Sequence, residues 1–149
     1  MRHVAFLLAL LVPAVSAGQA PALKENPFVG NWVMDISKSR LSPALPLQSA
    51  TLQIAVSGNT ISMSSTMVIG GKELKRAETF RSDGTETPGT LNPGIRLFAQ
   101  WVGPHVLAIV AMKGDTLIAL DTYEVSADGK TLTSRNSGSI EQVVVLERR

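Results

Sequence analysis

The chain contains no cysteine. That excludes disulfide bonds, a thiol nucleophile, cysteine-ligated zinc and a lipid anchor on an acylated cysteine. Histidine is nearly as scarce, with two in all, His3 and His105. No Gly-x-Ser-x-Gly nucleophile motif is present, so a Ser-His-Asp arrangement has nothing to build on. Metal ligation would fall to carboxylates, and these stand singly, without the spacing of a calcium loop. Phosphate-cradling and dinucleotide-binding glycine patterns are missing too, so no metal and no cofactor are expected. Charge of one sign is also lacking: 14 Lys and Arg stand against 12 Asp and Glu. The basic residues are scattered apart from Lys75-Arg76 and Arg148-Arg149. No basic stripe with interleaved aromatics appears, which excludes nucleic-acid binding of the ordinary kind.

What is present begins with MRHVAFLLALLVPAVSA, residues 1–17. Arg2 gives a positive start, Val4 to Val12 are unbroken apolar residues, and Val15-Ser16-Ala17 is a small-residue cleavage site. This is the pattern of a secretory signal peptide, with an alternative cut after Ala20, and its apolar run is too short to span a bilayer. No second segment reaches transmembrane length, so the mature chain is expected to be periplasmic or secreted, with no stable membrane anchor. Residues 18–27 read as a linker and 28–149 as one domain.

Beyond Lys24 the hydrophobic pattern has period two. Phe28, Gly30, Trp32, Met34 and Ile36 share one face of a run; Ala50, Leu52, Ile54 and Val56 share another. After Gly58-Asn59 the parity switches to Ile61, Met63, Met67 and Ile69, which is the signature of a tight hairpin. Further runs at 73–81, 95–102, 105–112, 116–125, 131–137 and 140–147 are separated by Gly-Gly, Asp-Gly, Gly-Pro and Gly-Asp signals. Between Ile36 and Leu52 the sequence allows one helical turn before Pro43 and Pro46 forbid more. The expectation is all-β: an antiparallel up-and-down β-barrel of about 8–9 strands, which hides its strand edges by closing.

Phe28-Val29-Gly30-Asn31-Trp32 resembles the Gly-x-Trp opening of the calycins, the lipocalins and fatty-acid-binding proteins. That resemblance implies that Trp32 plugs the closed end of a barrel, that Gly30 lets the strand bend, and that a basic residue near the C-terminus stacks on the Trp. Arg148 has the matching parity with Val144 and Leu146. A closer resemblance is to a family of small secreted bacterial lipocalin-like proteins of unassigned function. It rests on Gly30-Asn31-Trp32, Ser37-Lys38-Ser39, Ser126-Ala127-Asp128-Gly129-Lys130-Thr131-Leu132-Thr133, Glu147-Arg148 and, in weaker parallel, Ser82-Asp83-Gly84 with Pro88. The two-helix lid of the fatty-acid-binding proteins has no room here between Ile36 and Leu52.

Two runs leave their facing open. In LKRAETF, either Leu74, Arg76, Glu78 and Phe80 point inward, placing two charges inside the barrel, or Ala77 and Thr79 do. Charges that face inward must pair or meet water or a polar ligand. In LIALDTYEV, either Asp121 and Tyr123 face in with Leu117, Ala119 and Val125, or Ile118 and Leu120 do. The candidate ligand-binding residues are therefore Arg76, Glu78, Phe80, Trp101, Asp121 and Tyr123. Ser65 and Gln142 interrupt apolar rows and read as core polar groups with satisfied hydrogen bonds. Met34, Met63 and Met67 read as core filling. The function expected from this set is binding of a small hydrophobic or amphipathic molecule. A filled barrel working as an envelope-associated interaction module, through PALPLQ and PGTLNPG, is the alternative. An enzyme would have to use inward carboxylates such as Glu78 and Asp121 and is the least favoured reading.

Overall fold

A computed structural model describes residues 25–149 of the chain. Residues 1–17, expected to be a signal peptide, and residues 18–24 of the expected linker lie outside the described residues. The described part is antiparallel β-structure in ten strands: β1 (Gly30–Met34), β2 (Leu47–Ser57), β3 (Thr60–Ile69), β4 (Lys72–Arg81), β5 (Asp83–Pro88), β6 (Ile95–Gly103), β7 (Val106–Lys113), β8 (Thr116–Val125), β9 (Thr131–Gly138) and β10 (Gln142–Arg148). Their order in the sheet is β4-β3-β2-β1-β10-β9-β8-β7-β6-β5. Every pair of consecutive strands except β4 and β5 is thus hydrogen-bonded, and β1 joins β10 to carry the sheet round into a barrel.

Alternation builds the wall. Ala50, Leu52, Ile54 and Val56 of β2 face in, while Thr51, Gln53 and Ala55 face out. The register Val56↔Ile61, Ile54↔Met63 and Leu52↔Ser65 keeps the inward set together across the Gly58 turn. A one-residue slip would turn every one of these side chains to water. The core is one cluster that includes Phe28, Trp32, Ile54, Ile61, Phe80, Leu107, Val125, Leu132 and Leu146.

Two expectations need correction. The strand count is ten rather than 8–9, because Asp83–Pro88 forms β5 against β6. Nor does the ladder close completely: β4 and β5 follow each other in sequence but share no backbone pairing. The reason is local. The Ser82 amide and hydroxyl both donate to the Asn59 carbonyl of the β2–β3 turn, at 2.8 and 3.2 Å. Immediately after, Asp83 accepts from the Thr85 amide and hydroxyl, at 3.0 and 2.6 Å. The chain is held to β3 on one side of this corner and released toward β6 on the other.

Between β1 and β2 there is no lid. Ile36–Lys38 make a single 3₁₀ turn, capped by Asp35, which accepts from the Ser37 amide at 2.9 Å. An isolated bridge from Arg40 to Val143 and the Lys38–Glu147 ion pair fasten this segment to β10. No helix among the described residues is long and apolar enough to cross a membrane.

Candidate functional site

The barrel has two unlike ends. At one, the Trp32 indole is fully buried and donates from Nε1 to the Phe28 carbonyl at 3.0 Å. The Arg148 guanidinium carbon sits 4.2 Å from the Trp32 ring centroid. Its nitrogens donate to the carbonyls of Val29 (2.7 Å), Pro27 (2.6 Å) and Gly129 (2.7 Å). Register puts Trp32 directly opposite Arg148. The arrangement is a cation–π stack in partial contact with water, worth roughly 0.5–1 kcal/mol, plus three charge-assisted hydrogen bonds. Gly30 is needed for a sharper reason than bending. Its φ is +142°, and a Cβ there would lie 2.5 Å from Arg148 Nη1.

Above this floor is a cavity of about 410 Å³. Its apolar wall comes from β2, β3 and β10, with Ala50, Leu52, Met63, Met67, Val144 and Leu146. Ile109 and Leu97 close it from β7 and β6, and Leu45 reaches it from the β1–β2 connection. The polar groups come from β4, at one border of the seam, and from the far wall. Arg76, Glu78, Asp121 and Tyr123 all line it, as does Phe80. Both open registers therefore resolve toward the inside: Met63↔Glu78 and Ser65↔Arg76 on one wall, Ile109↔Asp121 and Leu107↔Tyr123 on the other. Burial of Phe80 opposite Ile61 fixes the facing of the whole of β4.

Five of the six candidate ligand-binding residues thus meet at one cavity. Trp101 does not. Its ring packs on Phe28 with centroids 5.0 Å apart, and it does not line the cavity. The aromatic neighbour at the plugged end holds it there.

The polar groups differ in how far they are committed. Glu78 is 3.6 Å from Arg76 through Oε1, while Oε2 accepts from the Thr90 amide and hydroxyl, at 3.2 and 2.7 Å. It therefore stitches β4 to the β5–β6 loop across the unpaired seam. Asp121 accepts one hydrogen bond, from the Asn136 side-chain amide. Burial raises the Asp121 carboxyl above its ordinary value of 3.8, against the lowering effects of Asn136 and the Arg76 charge. Burial also raises the Tyr123 phenol, helped by the negative charge of Asp121.

Sequence reasoning missed Ser134 and Asn136, which line the same wall. The signal was their parity with Leu132, obscured because β9 carries a single apolar residue on its inward face. Gln142 was expected to be satisfied and is not: its buried Oε1 has no hydrogen-bond partner. His105 Nδ1 is the other buried atom of this kind among the described residues, and it does not line the cavity. Met63 and Met67 border the cavity, where filling was expected. A second concavity, about 550 Å³, lies on the outer wall of β1–β4 among Asn31, Thr51, Gln53, Ser64, Thr66 and Lys75. Val33, Leu52 and Ala77 line it as well. Among the described residues no group of three His, Cys, Asp or Glu is placed to hold a metal ion.

Geometry and topology together define an antiparallel barrel of the calycin and fatty-acid-binding-protein type. Solved structures share it at low sequence identity. The wild-type fluorescent protein UnaG is 17% identical, with a TM-score of 0.60 over 82% of this chain and 97% of that one. A Schistosoma mansoni fatty acid binding protein in complex with arachidonic acid is 15% identical, with a TM-score of 0.58 over 83% and 96%. A REP1-NXSQ fatty acid transporter is 14% identical, with a TM-score of 0.55 over 81% and 95%. No family model and no curated protein matches the chain.

Proposed function

We propose that the chain is an exported carrier that binds one small, partly apolar molecule inside its barrel, and that it is related to the small secreted lipocalin-like proteins its motifs resemble. The observation that carries the reading is the cavity itself. Its volume of about 410 Å³ falls in the range of pockets that take small ligands, roughly 300–1,000 Å³. A mostly apolar wall with a few convergent polar groups is the usual composition of such a site. The named cargo of the structural neighbours, arachidonic acid in one and fatty acids in another, supports the reading only by likeness of fold. Export rests on residues 1–17 and is tested by the N-terminus of the protein recovered from its native host.

The two loops that an interaction module would use serve the barrel instead. Leu45 of PALPLQ lines the cavity, and Thr90 of PGTLNPG holds Glu78. A carboxylate-pair enzyme is disfavoured because both oxygens of Glu78 already have partners.

Native mass spectrometry of protein purified from its own host, with Nile red titration of the emptied protein, tests the binding reading. We expect one small molecule per chain and one saturable dye site. Ala50→Phe, which projects a ring into the void, should weaken dye binding by about tenfold or more with the fold retained. Absence of both a co-purifying molecule and a dye site would overturn the proposal.

A further inference from the structure

The interior wall of β8, β9 and β10 carries one polar rung. Asp121 is the register partner of Asn136, and Asn136 is the register partner of Gln142. All three line the cavity. Above and below, the same strands present apolar or hydroxyl-bearing residues: Tyr123, Ser134 and Val144 on one side, Ala119 and Gly138 on the other. Buried polar side chains in a β-wall ordinarily satisfy one another, and this rung does so only in part. Asn136 donates to one oxygen of Asp121. Among the described residues the other Asp121 oxygen accepts no hydrogen bond, and the Oε1 of Gln142, buried out of reach of the void, has no partner. What is left over on this wall is acceptor capacity.

The charges lining the cavity point the same way. They are Arg76, Glu78 and Asp121. Arg76 and Glu78 lie 3.6 Å apart on the same strand, and Glu78 is further held by Thr90. That pair is close to neutral as seen from inside, and the Arg76 side chain is 44% exposed, so water screens it. Asp121 remains, a carboxylate with no cationic partner in hydrogen-bonding contact. Among the described residues no Lys and no His lines the cavity. A ligand carboxylate would bring a like charge toward Asp121, and only the already engaged, half-exposed Arg76 could receive it.

Resting on the binding reading above, we propose that the Asp121–Asn136–Gln142 rung is the head-group subsite, and that it takes a cationic nitrogen head, a protonated amine on an apolar tail, rather than a carboxylate. The amine donates to the second Asp121 oxygen, and the tail lies along Leu52, Met63 and Met67. A buried charge is tolerated when paired and hydrogen-bonded, and the ligand supplies both. Selectivity over an acid of equal length then comes from repulsion as much as from attraction.

The test is displacement of Nile red, a neutral probe, by three ten-carbon amphiphiles at neutral pH: decylammonium, decanol and decanoate. We expect the order amine, alcohol, acid, with the amine ahead of the acid by about tenfold or more. In Asp121→Asn the amine-to-acid ratio should fall toward one. Dye and alcohol binding with decanoate equal to or tighter than decylammonium would overturn the head-group assignment and leave the carrier reading standing. No binding of dye or of any amphiphile would overturn both. Should Asp121→Asn fail to fold, the wild-type ratio alone still decides.

Discussion

The floor of the barrel and its far wall are built from similar materials and treated differently. At the floor, the Trp32 indole N–H meets a carbonyl, and Arg148 donates to three. On the β8–β10 wall, which lines a void of about 410 Å³, Asp121 accepts from Asn136 alone among the described residues, and the buried Oε1 of Gln142 has no partner among them. Polar groups that exist to hold a fold are satisfied by the fold. Those left facing a cavity cost stability and make sense when something else completes them. On the proposed reading, the contrast separates a structural constellation from a binding one.

Breaking the floor should have the largest effect. Trp32→Ala removes the largest fully buried side chain and should cost about 3–5 kcal/mol, read as a lower denaturant midpoint. A midpoint equal to wild type would mean the floor is not a plug. Gly30→Ala comes next. With φ at +142° and a Cβ 2.5 Å from Arg148 Nη1, it should cost roughly 1–3 kcal/mol, and adding Arg148→Ala should recover part of that loss, since the clash partner is gone. Additive losses in the double variant would refute the clash.

The smallest effect sharpens the other side. Burial holds the Asp121 carboxyl above 3.8 in the folded chain, so folded protein keeps a proton that unfolded protein has released. That contribution to stability is complete below pH 3.8 and is lost as pH rises through the folded value. The groups around Asp121 are Asn136 and Tyr123 on its own side of the barrel and the Arg76–Glu78 pair on the other. Equilibrium unfolding across mildly acidic pH should show Asp121→Asn gaining on wild type as pH rises. Parallel curves for the two proteins would place Asp121 in an environment like water.

Much of the fold was legible because period-two burial writes itself into sequence, as in Ala50-x-Leu52-x-Ile54-x-Val56. What escaped was β5, whose Asp83-Gly84-Thr85-Glu86-Thr87-Pro88 lacks an alternating apolar face. It borders an unpaired seam and is mostly exposed, so no hydrophobic pattern had to be kept. The facing of Arg76 and Glu78 was undecidable from their own run, since a neighbouring strand decides it, through Phe80 opposite Ile61. The inward carboxylate at Asp121 could be named as a candidate from parity alone. Its partner Asn136 could not, because a strand with a single buried Leu132 gives parity too little to work with.

The seam has one more implication. The borders of the sheet lie in mid-sequence here. Residues 31 and 149 are stitched together by an Arg149 amide to Asn31 carbonyl bond of 2.9 Å, whereas β4 and β5, adjacent in sequence, are the true borders of the ladder. A rearranged gene that spliced residue 149 to the start of the domain and opened the backbone at residues 82–84 would therefore preserve every strand pairing except Asp83 with Gln100. It would sacrifice only the Ser82 and Asp83 corner.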